Sequence, residues 1–594
     1  MPEDEQPKEE GNLSKDSAEI LDKVKSFETD HATQMNEFNK FYKMYRVQPT
    51  KKRSDNQSNT VLPEMFVEVE AIATAIHEMI FSDNSDAMFF DVVAQDGEME
   101  EMVKARITKA TITKQMDLTE FSSKFLPFLR MLALLGNYPI ATPWTLNYKT
   151  YWDDVMRVRR PAFDSWDFIP FSVTDFSFDD TREDIEQGSW ATETMHITQR
   201  AARNMARSGI WEKKWVDEAI ESGIKRNPYD LEIRQLAGYS DSPHGRSGMT
   251  AHEYYGTLES RDDDEIYWAC ISDDGKFLKE PEINPYAHGE KPWLFGKWFS
   301  IPGEPYAMGV GHVNFRTQSE INDRRNFIND LLYASLYNMW LRRTDSGITL
   351  PGGKMKYSPH QIIEGDGISD EFLRPLRPDM SPLGPAINLE SNDIEKMRRQ
   401  SGATSTLQAV ATGITATESQ QIQSEATRRL KAMVRANVSS LLRKFLYRSH
   451  KLNLQFLDRP LTTSVERGDG ARMWGPVTRR DLIVEPDIKM KLTTDLDFRP
   501  FKRRELLEML DIFSRLNASG QLGARRIIPD PIIEELAATY SIDPRKFFSK
   551  EGVMEMETQR AMGNPQIQQN AMKEMVANSP AAQAKMSQMA PMMR

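Results

Sequence analysis

The chain has 594 residues, which is too long for one hydrophobic core and predicts several structural units of roughly 150 residues each. Hydrophobic residues make up 39% and charged residues 28%, as in folded soluble proteins. The net charge of −12 argues against a protein that wraps DNA by neutralising its phosphates, but not against a surface that DNA slides past.

Cysteine content and hydropathy indicate assembly in a reducing cytoplasm. Cys270 is the only cysteine, so neither an intrachain disulfide nor a thiolate cluster can form. It stands in the apolar run 266–271, which predicts a buried strand with a small core side chain. The acidic N-terminus lacks the features of a signal peptide, and the most apolar stretch, 125–135, is too short to span a bilayer.

Helical periodicity dominates the first part of the sequence. A polar stretch at 1–14 is expected to be disordered. Four helices are predicted after it, over 15–45, 63–81, 99–116 and 118–135. The second helix begins at Pro63, and the fourth ends at Gly136, placements that proline and glycine favour. One side of the second helix carries Met65, Val69, Ile72, Ile76, Met79 and Ile80.

Short aromatic and β-branched runs alternate with turns between residue 138 and about residue 299, which predicts antiparallel strands. The predicted strands cover 138–144, 158–163, 166–173, 253–259, 266–271 and 293–299. A helical insert at 198–222 interrupts them. This mixture indicates an α+β fold.

Two long helical patterns dominate the second half. Gly309 and Gly311 precede a predicted helix over 312–343, and a segment rich in Gly and Pro follows it at 345–385. Further helices are predicted over 388–400, 418–457, 501–516 and 531–539, and strands over 481–484 and 488–496. The segment 401–417 holds mostly small and polar residues, and a tail rich in Met, Gln and Ala ends the chain.

Motifs for catalysis or metal binding are weak. The segment 347–355 superficially resembles a phosphate-binding loop, but Met355 replaces the required hydroxyl residue, which favours a tight turn. Neither His77 nor His252 is followed by a second histidine at zincin spacing. The acidic runs at 175–184 and 262–265 are more typical of solvated turns than of converging metal ligands. We expect no catalysis, no cofactor and no metal.

A set of short sequences in matching order carries a resemblance to one family. Gly-Glu-Pro-Tyr-Ala-Met-Gly-Val-Gly at 303–311, followed by Gln-Ser-Glu-Ile-Asn at 318–322, resembles the entry to the stem helix of portal proteins of tailed bacteriophages. Thr-Gly-Ile-Thr-Ala-Thr-Glu at 412–418 resembles the loop-to-helix junction in portals of short-tailed phages. The sequences at 134–140 and 166–170 are similar to parts of the family's wing. The matching order extends over roughly residues 15–540.

The resemblance implies a ring-forming α+β portal fold with wing, stem, clip and crown. In chain order it implies a disordered N-terminus (1–14), the wing (15–310), a stem helix (311–343), the clip (344–386), a returning stem helix (387–400), the tunnel loop (401–417), a long helix (418–458), wing strands (459–499), the crown (500–554) and a flexible tail (555–594). The short tail does not favour the extended barrel of larger portals.

The resemblance also implies which residues meet partners. In the tunnel loop, which approaches DNA, these are Thr404, Ser405, Gln408, Thr412 and Thr415. Basic candidates for the channel are Arg342, Arg343, Lys396, Arg398 and Arg399, with ion pairs between subunits as the alternative role. Clip candidates for contact with the terminase are Lys354, Lys356, Tyr357, Arg374 and Arg377. On the stem helix, Asn322, Arg325 and Asn329 offer a polar side to water and DNA.

The implied function is non-enzymatic. A homo-oligomeric ring, a dodecamer in the family, would form the head-to-tail connector at the capsid vertex of the virion and pass double-stranded DNA during packaging and ejection. Its implied partners are the terminase large subunit, the major capsid and scaffolding proteins, and neck, adaptor and tail proteins, with no membrane. Two alternatives stay open: another neck or internal head structural protein, and a metal-dependent nucleic-acid enzyme that uses Asp262–Asp264.

Overall fold

The computed structural model describes most of the chain up to residue 490. The described residues are 6–54, 57–81, 89–94, 99–153, 156–226, 228–236, 238, 248–261, 263–336, 339–342, 373–376, 379–401, 432–466 and 472–490. The chain divides into two compact units, one comprising Met1–Phe81 and Met116–Phe456 and the other Ser82–Gln115 and Leu457–Arg594. Helices and antiparallel strands are mixed, which confirms the α+β class.

The helices agree well with the amphipathic patterns. In chain order they are α1 (Gln6–Asp30), α2 (Ala32–Tyr45), α3 (Glu64–Ile80), α4 (Met99–Leu118), α5 (Phe121–Leu135), α6 (Gln199–Arg207), α7 (Lys213–Ser222), α8 (Pro228–Leu236), α9 (Val310–Leu336), α10 (Leu383–Ser401) and α11 (Ser439–Phe456). All six apolar residues predicted for one side of α3 are buried. Helix α5 ends at Gly136, whose φ of 83° is the left-handed conformation expected of a glycine cap.

The strands are β1 (Phe90–Ala94), β2 (Asn137–Ala141), β3 (Trp144–Asp153), β4 (Met156–Trp166), β5 (Ile169–Pro170), β6 (Phe176–Phe178), β7 (Trp190–Thr198), β8 (Gly248–Gly256), β9 (Tyr267–Ser272), β10 (Phe277–Ile283), β11 (Trp293–Lys297), β12 (Met339–Arg342), β13 (Leu373–Leu376), β14 (Leu461–Glu466), β15 (Arg472–Val477) and β16 (Pro486–Met490). In the first unit, β6 to β10 form an antiparallel sheet in the order β10-β9-β8-β7-β6. A second sheet has the order β11-β2-β5, and β3 pairs with β4.

Both faces of the five-stranded sheet are covered. On one face, Met249, Ala251 and Cys270 pack with Trp211 and Val216 from the α6–α7 region. On the other, Ile20 of α1 packs against Tyr254 and Ile271. Cys270 is 1% exposed, so its predicted place in a buried strand is confirmed.

Aromatic side chains around α5 form a further part of the first unit's core. Phe121 stacks on Phe445 of α11, with ring centroids 5.2 Å apart. Trp166 and Phe168 approach Phe445 edge-on at 5.1 and 5.5 Å. Offset and edge-on contacts of this kind add to the free energy gained by burying the rings. They hold α11 against the strands that follow α5.

Three sequence predictions at the ends of elements are wrong. The helix predicted over 15–45 is divided at His31 and begins at Gln6, inside the stretch expected to be disordered, because Gln, Lys and Glu are good helix formers. The helix predicted over 312–343 ends at Leu336, because residues 339–342 form β12 and pair with β13. The strand predicted over 481–484 is largely a 3-10 turn (Arg479–Leu482) with a Thr478–Asp481 capping box.

The second unit contains β1, most of α4 and β14 to β16. Strand β1 pairs with β16, so residues about 400 positions apart in sequence join one antiparallel ribbon. Strand β14 pairs with β15, and the Thr463 hydroxyl donates to the Ala110 carbonyl at 3.2 Å. The helices predicted over 501–516 and 531–539, the crown (500–554) and the tail (555–594) lie outside the described residues.

Candidate functional site

Helices α9 and α10 form an antiparallel pair, which we call the α9–α10 hairpin. Arg325 forms an ion pair with Glu390, and Arg324 forms one with Asp393. Nearer the start of α9, the Asn314 amide donates to the Met397 carbonyl at 3.2 Å. Partner numbers on α10 therefore rise as those on α9 fall, which fixes the antiparallel direction. The connection between the helices includes the β12–β13 ribbon.

The base of the hairpin is attached at a close backbone crossing, the glycine junction, formed by Gly136, Gly309 and Gly311. A Cβ on Gly309 would lie 2.3 Å from the Gly136 nitrogen, and one on Gly311 would lie 2.6 Å from the Leu134 oxygen. No larger residue fits such distances without backbone movement. Next to the crossing, the Asn137 amide donates to the Ala307 carbonyl at 2.8 Å and accepts from the Ala307 nitrogen at 2.9 Å.

The glycine junction unites two sequences that are far apart in the chain. The sequence at 134–140 and the sequence at 303–311 each contributed separately to the portal resemblance. Because Gly136 ends α5 and Gly309 precedes α9, their crossing fixes the start of the hairpin to the end of a buried helix. Sequence analysis treated the two as separate motifs and did not predict their contact.

A polar stripe on α9 binds an extended segment, residues 57–62, which we call the strap. The stripe consists of Gln318, Asn322, Asn326 and Asp330, spaced four residues apart. Four residues of helix advance about 6 Å and two residues of extended chain advance about 6.6 Å, so the two repeats nearly match. Every second residue of the strap therefore meets the next side chain of the stripe.

The contacts form a ladder from side chains to strap backbone. The nitrogens of Ser58, Thr60 and Leu62 donate to Asp330, Asn326 and Asn322 at 2.6, 2.6 and 2.9 Å. Asn326 also donates to the Thr60 carbonyl at 3.1 Å, and Gln318 donates to the Leu62 carbonyl at 3.0 Å. The ladder gives the strap backbone partners that it would otherwise find in a sheet or in water.

Of the three residues predicted to form the polar, DNA-facing side of this helix, Asn322 serves an intrachain contact instead. Asn322 is only 7% exposed and belongs to the ladder. Arg325 pairs with Glu390 but is 38% exposed, and Asn329 makes one long contact to the Thr60 hydroxyl at 3.4 Å, so for these two the polar side stays a prediction. A polar stripe can face buried backbone as well as solvent, so the sequence pattern alone did not distinguish the two.

The described basic candidates for the channel lie on α10 and form intrachain ion pairs. Arg398 pairs with Glu64 at 3.0 Å and is 24% exposed. Lys396, 66% exposed, pairs with Asp393 at 3.0 Å. Arg399, 73% exposed, pairs with Glu395 one turn earlier. Lys396 and Arg399 thus remain accessible while their charges are balanced.

Two other candidates lie in the β12–β13 ribbon that connects the helices of the hairpin. Arg342 belongs to β12, and Arg374 belongs to β13 opposite Leu341. The remaining candidates, Thr404, Ser405, Gln408, Thr412, Thr415, Arg343, Lys354, Lys356, Tyr357 and Arg377, lie outside the described residues, as do Asp262 and the segment 347–355.

The acidic run near residue 180 is a structural turn. Asp179 accepts hydrogen bonds from the backbone nitrogens and hydroxyls of Thr181 and Ser189, at 2.7 to 3.1 Å. Burial opposes its ionisation, but these four hydrogen bonds prevail and lower the pKa of Asp179 to about 2. Buried Lys291 donates to the carbonyls of Ile185 and Gly188 at 3.0 and 2.6 Å. Within the described ranges, no group of His, Cys, Asp or Glu side chains is arranged to hold a metal ion.

A buried cation joins α11 to this turn, and sequence analysis missed it. Arg448 is 2% exposed and donates to the Trp293 carbonyl at 3.1 Å. It also pairs with Glu186 at 3.3 Å and Glu290 at 3.0 Å. The signal was available, because residue 448 falls on the apolar face of its helix, three positions after Phe445.

No protein-family model matches the chain, and no curated protein matches it significantly. In the part of the chain that the structure describes, no helix has the length and apolar character needed to cross a bilayer.

Proposed function

We propose that this chain is a portal subunit of a tailed bacteriophage. In this proposal its ring occupies the capsid vertex, conducts double-stranded DNA during packaging and ejection, and docks the terminase large subunit and later the neck and tail proteins. The observation that carries the proposal is the α9–α10 hairpin: two antiparallel helices, joined through a small ribbon and attached at their base by the glycine junction. This is the order of stem, clip and returning stem that the resemblance implies.

Exposed apolar residues on the hairpin support lateral packing between copies. On the last two turns of α9, Leu332, Tyr333 and Leu336 are 40%, 59% and 66% exposed. On α10, Ile387 and Leu389 are 48% and 50% exposed. They lie about 160° apart around α10, on its two flanks, since each residue turns the helix by about 100°. A ring needs two different contact surfaces on each subunit, because its neighbours meet head to tail.

The exposed charges on the hairpin suit a channel that DNA must pass. Arg316 is 92% exposed and lies 3.7 Å from Glu320, one turn away. Lys396 and Arg399 are similarly paired with carboxylates on α10. Each free cation that binds a phosphate adds affinity that DNA must overcome to move on. Locally balanced charges keep the helices hydrated while they limit such binding.

The proposal is tested by negative-stain electron microscopy and native mass measurement of the full chain. We expect end-on rings with rotational symmetry and an open centre. Changing both Tyr333 and Leu336 to Asp should reduce the fraction of rings, because it places charges in the subunit contact. Ile283→Asp is the matched control, since Ile283 is 62% exposed but lies on β10. A monodisperse monomer or dimer at several salt concentrations contradicts the proposal.

A further inference from the structure

Two glutamates lie side by side in the five-stranded sheet. Glu193 of β7 is directly opposite Glu253 of β8, so both side chains are on the same face. Cβ atoms of such cross-strand pairs are about 5 Å apart. Glu193 accepts a hydrogen bond from the Trp293 indole at 2.5 Å, and Glu253 accepts one from the Trp268 indole at 2.9 Å.

No cation lies at ion-pair distance from either carboxyl group within the described part of the chain. The two histidines nearby pair with other carboxylates, His196 with Asp175 and His252 with Asp273. The neighbours that act electrostatically on them are acidic or weakly ionising: Asp175 on Glu193, and Tyr255, Tyr286 and Cys270 around Glu253. The Lys279 ammonium lies over the Trp268 ring, 4.5 Å from its centroid.

Glu193 also lines a cleft of about 350 Å³, which lets solvent protons reach its carboxyl group. The other residues that line the cleft are Phe171, Asp175, Thr194, Met195, His196, Arg226 and Arg234. His196 faces Asp175, with Nε2 and Oδ1 3.8 Å apart. The cleft thus gives Glu193 access to water beside groups of both charge signs, and Glu253 is its direct neighbour across the strands.

We propose that Glu193 and Glu253 act as a pair that binds a proton. The protonated pair keeps β7 and β8 hydrogen-bonded at neutral pH, and loss of the proton loosens the β7–β8 pairing as the pH rises. Two ionised carboxylates directly opposite each other repel, and like charges in that position destabilise a sheet. One proton held by the pair removes this repulsion. Trp293 belongs to β11 of the neighbouring sheet, so the loosening also affects the contact between the two sheets.

The directions of the pKa shifts agree with this geometry. Burial, followed by the charge of Glu253, raises the pKa of Glu193 to about 8, and burial raises the pKa of Glu253 to about 7. Both glutamates titrate near 4.5 when unfolded. The folded state therefore binds more protons between about pH 4.5 and pH 8, and its stability decreases as the pH rises through that window.

The first test needs no variant. Infrared spectra of the full chain should show a protonated carboxylic acid band at pH 6 that disappears by pH 9.5. A missing band at pH 6 overturns the proposal. Glu193→Gln and Glu253→Gln should each remove part of the band, while Glu282→Gln, an exposed residue on β10, should leave it unchanged.

The second test measures urea unfolding of the full chain between pH 5.5 and 9, monitored by tryptophan fluorescence. In the wild type, the ratio of folded to unfolded protein should fall at least tenfold over this range, since one unit of pKa shift corresponds to a factor of ten. The double Gln variant should lose most of this decrease. An equal decrease in the double variant, or no decrease in the wild type, overturns the proposal.

Discussion

Removal of one rung of the ladder tests whether α9 holds the strap. Asn326 is 3% exposed and makes two hydrogen bonds to Thr60, one to its nitrogen and one to its carbonyl. Asn326→Ala removes both, at about 0.5–1.5 kcal/mol each. Thr60 is exposed, so water can replace part of the loss, and alanine favours the helix by about 0.5 kcal/mol. We expect a net loss of about 1–2 kcal/mol in the free energy that keeps the strap attached.

Limited trypsin digestion measures this local opening directly. The sites at Lys51 and Arg53 adjoin the strap, and both side chains are paired with Asp323 of α9. When cleavage follows the population of the open form, a loss of 1–2 kcal/mol raises its rate about 5- to 30-fold. The digestion reports on the strap even though the chain has two units and global unfolding need not be two-state.

Asn329→Ala is the matched control on the same helix. Asn329 makes only one long contact to the strap, at 3.4 Å to an exposed hydroxyl. Its removal should change the cleavage rate by less than about twofold, as expected of a surface substitution. If Asn326→Ala and Asn329→Ala are cleaved at the same rate, the ladder does not hold the strap and our interpretation of the stripe is refuted.

Three further predictions concern stability. Arg448→Met leaves two carboxylates without their buried cation and should lower the free energy of chemical unfolding by about 3–5 kcal/mol. Arg316→Met, at an exposed ion pair, should lower it by less than about 1 kcal/mol. Equal effects would refute the assigned role of the buried cation. Gly309→Ala forces a Cβ against backbone atoms and should sharply reduce the yield of folded protein. Gly384→Ala adds a Cβ in open space and should keep the yield, with an equal or slightly higher melting temperature. Similar yields of the two variants would contradict the close crossing. Asp179 has a folded-state pKa of about 2, below its ordinary value of 3.8, so its stabilisation is present above pH 4 and lost as the pH falls towards 2. Asp179→Asn should make the free energy of unfolding depend less on pH in that window. An unchanged acid transition would argue against the hydrogen-bonded turn.

Sequence patterns predicted elements whose burial follows one clear period. Helix α3 is the best example, because its apolar residues recur at helical spacing and all lie in the core. Strand β7 was not predicted, because its sequence mixes Thr, Glu and His with apolar residues and both faces of its sheet are covered. Residues 339–342 continued a helical pattern, but pairing with a strand more than 30 positions later decided their conformation.

The candidate site was predictable in its parts but not in their contacts. Gly136 and Gly309 were both recognised, since a glycine next to a helix end commonly marks a cap or a tight turn. Their crossing joins positions about 170 residues apart, and no local pattern encodes such a partner. A polar side of α9 was also predicted, but it shares only Asn322 with the stripe that binds the strap. The stripe binds the strap's backbone groups, which are the same in every sequence and leave no pattern to recognise.

The glycine junction has a further consequence for the chain between its two sides. The polypeptide leaves the junction at Asn137 and returns to it at Ala307, where the two residues exchange hydrogen bonds. The chain between them, which includes all strands from β3 to β11, therefore forms one long loop whose two ends are held together. The entropy cost of closing such a loop grows only slowly with its length. Surface segments of this loop can therefore be gained or lost over evolution while the start of α9 keeps its contact with the end of α5.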